Sequence, residues 1–265
     1  MKFKILLLLL CSKLAAQQNE PTLKIDYAET IKYIPTIVNY HLSTLYVQNE
    51  FAYYESVYLK TEKQSENEDE DMIIVDLPTN AINKEVHTNN KTKQLTENLF
   101  ENLFLKKSFS VTDDLPRMKW IFLKGEKKFS NLICKKAKTT FRGRTYNVWY
   151  TEKIPINAGP WKLKGLPGLI LSAEDELGIY KWEVKSIKYP FVEKTINLKD
   201  TYSKRNKYKK TTFKAFDEMF ITAINAKIQI VKARSSSRAN GTTYSYNTFQ
   251  NREPINEWRT QKEFN

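Results

Sequence analysis

GPWKLKGLPGLIL, residues 159–171, holds three of the chain's seven glycines and two of its nine prolines. Glycine reaches backbone conformations closed to other residues, and proline fixes φ while removing a donor. Both concentrated here, in an otherwise glycine-poor chain, specify the backbone path tightly. Pro167 restricts Leu166 to extended conformations. Gly168 then supplies either a positive φ or a close backbone approach, and the path feeds an apolar strand at Leu169-Ile170-Leu171. The stretch therefore reads as a rigid bend delivering the chain into a buried sheet.

On both sides of it the sequence is a meander. MKWIFL, FSNLICKKAKTTF, TYNVWYTEKI, LILSAED and IYKWEVKSIKY succeed each other. Turns are expected at Asp113–Pro116, Gly125, Arg142–Arg144 and Glu176–Gly178. Gly143 in FRGRTY stands where a tight hairpin turn needs it. Alternation puts Tyr180, Trp182, Val184 and Ile187 near one face. Upstream, HLSTLYVQNEFAYYESVYL reads as two strands turning near Gln48–Glu50. Residues 72–98 support no assignment, beyond MIIVDLP as a strand stopped by Pro78.

The period changes after residue 210. Phe213, Phe216, Phe220, Ile224, Ile228 and Val231 recur three or four apart behind Thr211 and Thr212 as capping candidates, which predicts one amphipathic helix over 212–234. The fold class is mainly β (α+β): a curled antiparallel sheet or half-open barrel, covered by that single C-terminal helix.

The signature and its upstream flank, CKKAKTTFRGRTYNVWYTEKIPINAGPWK from Cys134 to Lys162, together resemble the GLPGLI family of exported bacterial proteins. About a seventh of the chain carries the likeness. Trp161 departs from it, standing where relatives commonly have Tyr or Phe. The resemblance implies an exported, β-rich protein with no assigned activity. Its signature positions here, taken as fold determinants, are Gly143, Pro155, Gly159, Pro160, Gly165, Pro167 and Gly168.

Residues 1–16 have the layout of a Sec signal peptide: Lys2 and Lys4, an apolar run Ile5–Leu10, and Leu14-Ala15-Ala16 before Gln17. Leu10 precedes Cys11 where lipidation wants a small residue. Periplasmic, outer-membrane-associated or secreted residence is expected, with no transmembrane helix in the mature chain. Three domain-level segments result: the signal peptide 1–16, one β-rich domain 17–234, and a polar, largely mobile tail 235–265. Within the tail, REPINEW is a local docking candidate.

Cleavage after Ala16 takes the formal charge from +13 to +10, a surplus that favours anionic surfaces. No nucleic-acid partner is expected of an exported chain. The acidic run Glu62–Asp71 lacks calcium-loop spacing and reads as a solvated loop. His41 and His87 lack metal-ligand spacing, so neither a metal nor a cofactor is expected. Asp113-Asp114 reads as turn chemistry, and Cys134 as a buried structural thiol.

Thirty-four aromatic residues remain. Trp149, Tyr150, Trp161, Leu166 and Trp182 are the candidates for contact with an apolar ligand or a partner, against the plain alternative of core filling. Catalytic residues are unknown. The leading expectation is an exported, non-enzymatic envelope protein that binds an apolar or amphipathic ligand or an envelope protein. A metal-free hydrolase with unidentified carboxylates and an assembly or structural factor stay open as alternatives.

Overall fold

A computed structural model describes residues 22–34, 37–63, 82–100, 105, 107–191, 198, 208–235 and 253. The signal segment, the acidic run beyond Lys63, MIIVDLP, and the tail 235–265 apart from Ser235 and Glu253 lie outside these residues.

The first half contributes β1 (Thr22–Ile34), β2 (Ile37–Gln48), β3 (Phe51–Lys63), β4 (Ile82–Asn89), β5 (Gln94–Leu99) and β6 (Phe109–Asp114). The second contributes β7 (Ile121–Phe129), β8 (Leu132–Phe141), β9 (Arg144–Thr151), β10 (Leu169–Asp175), β11 (Tyr180–Phe191), β12 (Lys209–Thr212) and the helix α1 (Phe213–Ser235). All twelve strands form one sheet in the order β12-β6-β5-β4-β3-β2-β1-β11-β10-β9-β8-β7. Every neighbour pairs antiparallel except β12, which runs parallel to β6. Among the described residues the sheet does not close, and β12 and β7 are its two edges.

Local chemistry explains most boundaries. Asn49, with φ 54°, makes the β2–β3 turn, and Arg142 and Gly143 at φ 45° and 82° make the two-residue β8–β9 turn. Gly125 forms no turn. It lies inside β7 at a register shift between Leu123 and Glu126, and the reversal comes later, at Ser130 with φ 52°. The glycine is a bulge within a strand, the other role its backbone freedom permits. Residues 82–99, which sequence periodicity leaves unassigned, form the β4–β5 hairpin.

The sheet curls until its two halves face each other. Tyr27 on β1 donates to the carbonyl oxygen of Ile170 at 2.7 Å, and the Trp182 indole on β11 donates to the Tyr54 hydroxyl on β3 at 3.1 Å. The main core lies inside this curl, from Leu23, Ile25 and Tyr27 across to Tyr146, Val148, Ala173 and Trp182. A second, smaller cluster joins Phe109 and Val111 of β6 to Phe213 and Phe216 of α1. The Thr212 hydroxyl caps the helix by accepting from Ala215 N–H at 3.2 Å. Phe216 meets Phe109 edge-on at 5.3 Å between centroids. The helix thus covers the β6–β12 end of the sheet with the first turns of its apolar stripe.

Candidate functional site

The signature segment lies inside the curl. From Ile154 it runs beside the start of β10, with Leu169 N–H bonded to Ile154 O at 3.1 Å and Ile170 N–H to Ala158 O at 3.0 Å. Trp161, Leu163 and Leu166 are all buried against the core. Trp161 holds φ 55°, which is uncommon for a bulky side chain. Its ring is fixed by stacking on Trp182, 6.5 Å away and 4° from parallel, with Phe141 and Tyr146 tilted against it. Three aromatic contacts at core density offset the local backbone cost.

Gly168 needs space rather than a special φ. A Cβ there would lie 2.1 Å from the carbonyl oxygen of Thr151 and 2.7 Å from its carbonyl carbon. Gly165 is the other case, with φ 106° at the exposed tip of the bend. Gly159 is crowded by Leu163 O at 2.7 Å and by the Ile170 side chain.

Lys162, between these glycines, anchors a buried ionic latch. Its ammonium meets Glu97 of β5 at 2.9 Å and Glu253 at 2.8 Å. Lys84 of β4 reaches the other oxygen of Glu97 at 3.0 Å. Arg142, at the β8–β9 turn, pairs with Asp113 of β6 at 2.8 Å and with Glu253 at 2.7 Å. Phe213 of α1 lies against both cations, 4.7 Å from the Lys162 ammonium and 4.8 Å from the Arg142 guanidinium. The latch therefore joins both halves of the sheet, the helix and Glu253. Burial alone would push the Lys162 amine down, but Glu253 and Glu97 outweigh it and hold it above its ordinary value. Burial likewise favours a neutral Glu97, yet Lys162 and Lys84 hold its carboxyl well below the usual carboxylate range.

A second polar cluster sits deeper on the inner face. Glu29 of β1 is wholly buried and accepts from the hydroxyls of Ser43, Tyr54 at 2.8 Å and Ser56 at 2.7 Å. His41 lies next to it, its Nδ1 3.4 Å from Ser56 Oγ and its ring edge-on to Tyr58. On the outer face Glu85 accepts from Asn98 at 3.0 Å and Tyr53 at 3.2 Å, and the His87 ring lies 4.7 Å from that of Tyr53. Sequence reasoning passed over Glu29, Glu85, Glu97 and Lys162. A charged residue in a strand looks like a solvent position, and its partners are far away in the chain.

The five aromatic and apolar candidates divide in one way. Tyr150, Trp161, Leu166 and Trp182 are buried, and Trp149 is half-buried, 3.7 Å from the position a Gly125 Cβ would take. Trp161 and Trp182 are brought together. Tyr150 lies on β9 with Phe122 6.3 Å away. Cys134 is fully enclosed on β8, and burial pushes its thiol up to about 11. Among the described residues no group of three or more His, Cys, Asp and Glu is placed to hold a metal ion. No described helix is long and apolar enough to cross a membrane.

The stretch from β2 to the first residues of β10, residues 37–172, matches the family model Porph_ging, described as "Protein of unknown function". The chain belongs to that family. Its family region contains the latch residues Lys84, Glu97, Asp113, Arg142 and Lys162 as well as the whole signature bend. No curated protein matches the chain. Two solved structures of PNGF-II, in the P21 and C2 space groups, are similar at 17% identity and a TM-score of 0.48. The likeness covers 77% and 76% of this chain but only 34% and 33% of theirs, so the chain spans about a third of their length.

Proposed function

We propose that the protein is an exported, non-enzymatic envelope factor, periplasmic, outer-membrane-associated or secreted, that binds another envelope protein along the free edge strand β7. The signature bend, similar to that of the GLPGLI proteins, serves the fold in this reading rather than the contact. The observation that carries it is the exposure of that edge. Ile121 and Phe122 are 56% and 62% exposed on the outermost strand, with Ile133 at 54% on the strand beside it. An edge strand presents unpaired N–H and C=O groups, and an extended segment of a partner can add to it as a further strand.

The interior supports an outside contact over an apolar ligand. The aromatic residues that would line a groove are spent on one another and on the signature bend. The buried carboxylates Glu29 and Glu97 are enclosed by hydroxyls and cations rather than opened to a cleft, which favours binding over hydrolysis. Charge indicates the partner's chemistry. Lys124, Lys127 and Lys128 on β7, with Lys136 beside them, outnumber Glu126, while Lys135 is paired with Glu152 at 2.7 Å. The surplus would repel a second copy and attract an extended segment whose apolar residues are flanked by Asp or Glu.

A photo-crosslinking residue placed at position 122 in growing cells should give one discrete adduct, to an acidic, extended segment of another envelope protein. Ile121→Lys should abolish that adduct while leaving the thermal midpoint unchanged. Adducts to a second copy of this chain, or none, would overturn the proposal.

A further inference from the structure

The open end of the curl holds a cleft of about 1100 Å³ that neither the latch nor the β7 edge accounts for. Four loops wall it: the β4–β5 turn with Asn90, Thr92 and Lys93; the β6–β7 connection from Asp113 to Lys119; the β8–β9 turn with Thr140 and Arg142; and the signature bend with Asn157, Lys164 and Gly165. Its charged groups are Lys93, Arg117, Lys119, Arg142 and Lys164 against Asp113 and Asp114. Arg142 and Asp113 are committed to each other and to the latch. Four cations then face Asp114 alone, and none of the four makes an ion pair with a described residue.

Lys164 shows this most clearly. It is half-buried, and its ammonium donates to the side-chain oxygen of Asn90, an amide where a partly buried cation usually has a carboxylate. The position is fixed, because the backbone carbonyl of Lys164 accepts from the Trp120 indole at 2.9 Å. Asn157 gives its own side-chain oxygen to Gly165 N–H, which leaves its NH2 as a donor at the cleft wall. Such a wall offers fixed positive charge and amide donors with few acceptors.

We infer that this cleft binds a ligand carrying more than one phosphate-type oxyanion, held by Lys164 and Arg117 with Lys93 and Lys119 around them. Several like charges converging on one cleft raise the local concentration of an anion, and multidentate contact rewards a multiply charged one. A soluble phosphoanhydride and a clustered lipid-headgroup surface share this chemistry.

Burial, with Lys93 adding to it, pushes the Lys164 amine down to about 8. The amine is charged below that value and neutral above it, so affinity should fall as pH rises through 8. The other charged groups facing the cleft are Lys93, Arg117, Lys119 and Arg142 with Asp113 and Asp114.

The test uses the intact protein with two probes at low salt, inorganic pyrophosphate by calorimetry and phosphatidylglycerol vesicles by flotation. Saturable binding to at least one probe is expected, weakened tenfold or more by Lys164→Gln and by Arg117→Gln and unchanged by Lys188→Gln on the distant β11. Arg117 is exposed on its loop, so that variant keeps the test open if Lys164→Gln fails to fold. Pyrophosphate binding alone assigns a soluble ligand, and vesicle binding that pyrophosphate displaces assigns a headgroup. Absence of saturable binding to both probes, or binding that survives both cleft substitutions, would overturn the inference.

Discussion

Replacing Lys162 with Ala is expected to lower stability by about 3 kcal/mol, the low end of the range for removing one member of a buried ion pair. The low end applies because neither carboxylate is left alone: Glu97 keeps Lys84 and Glu253 keeps Arg142. The companion Lys162→Met separates charge from packing. Its stem still covers Phe213 and Trp161, so a cost close to that of Ala assigns the effect to the lost charge, and a near-neutral result assigns it to the stem.

The pH dependence has a definite sign. Glu97 has a depressed folded value, so its contribution is present above its unfolded value of 4.5 and is lost as pH falls below it. Lys162 is raised, so its contribution is present below 10.5 and lost as pH rises through its folded value. Urea midpoints of wild type and Lys162→Ala should therefore differ by a constant amount from about pH 5 to 10 and converge in acid. A gap that widens in acid would contradict the latch.

Gly168→Ala, the smallest substitution available, is expected to cost at least ~3 kcal/mol, the upper end for overpacking. The added methyl meets backbone atoms of Thr151, which cannot rotate away. Thr151 is itself pinned by pairing with Leu169 and by its hydroxyl, which donates to Ile133 O at 3.0 Å. The adjacent Pro167 is exposed, so Pro167→Ala should cost less than ~1 kcal/mol, mainly through the unfolded chain. Thermal unfolding of the two variants side by side checks the contrast. A Gly168→Ala protein that melts with the wild type would show that the bend does not determine the fold.

Much of this architecture was legible in the sequence, and the exceptions have physical causes. The β8–β11 meander could be read because its inner positions are apolar and its turns carry Gly143 and Gly178. The helix could be read because Phe213, Phe216, Phe220 and Ile224 keep one period, and Thr212 caps it. The β4–β5 hairpin could not, because Lys84 and Glu97 occupy inner-face positions while Glu85, His87 and Asn98 are buried on the outer face. Burial on both faces by polar residues removes the contrast on which periodicity depends. Gly125 misled because a glycine between apolar runs looks the same at a turn and at a bulge. The bend itself was visible as a constraint, but the close approach at Gly168 and the φ of Trp161 required the path of β9. Lys162, central to the latch, gave no signal, since its carboxylates come from β5 and from the tail.

Amide hydrogen exchange across residues 154–171 tests most directly whether the signature bend is the internal plug of the curled sheet. The informative amides are Leu163, bonded to Pro160 O at 3.1 Å, and Leu169 and Ile170, bonded back to Ile154 and Ala158. If the bend is core, these three exchange only through global unfolding, with the same opening free energy as Val148 and Ala173 in the flanking strands. Exchange at the rate of a local opening, kilocalories below that of Val148 and Ala173, would make the bend a mobile surface loop and contradict the account.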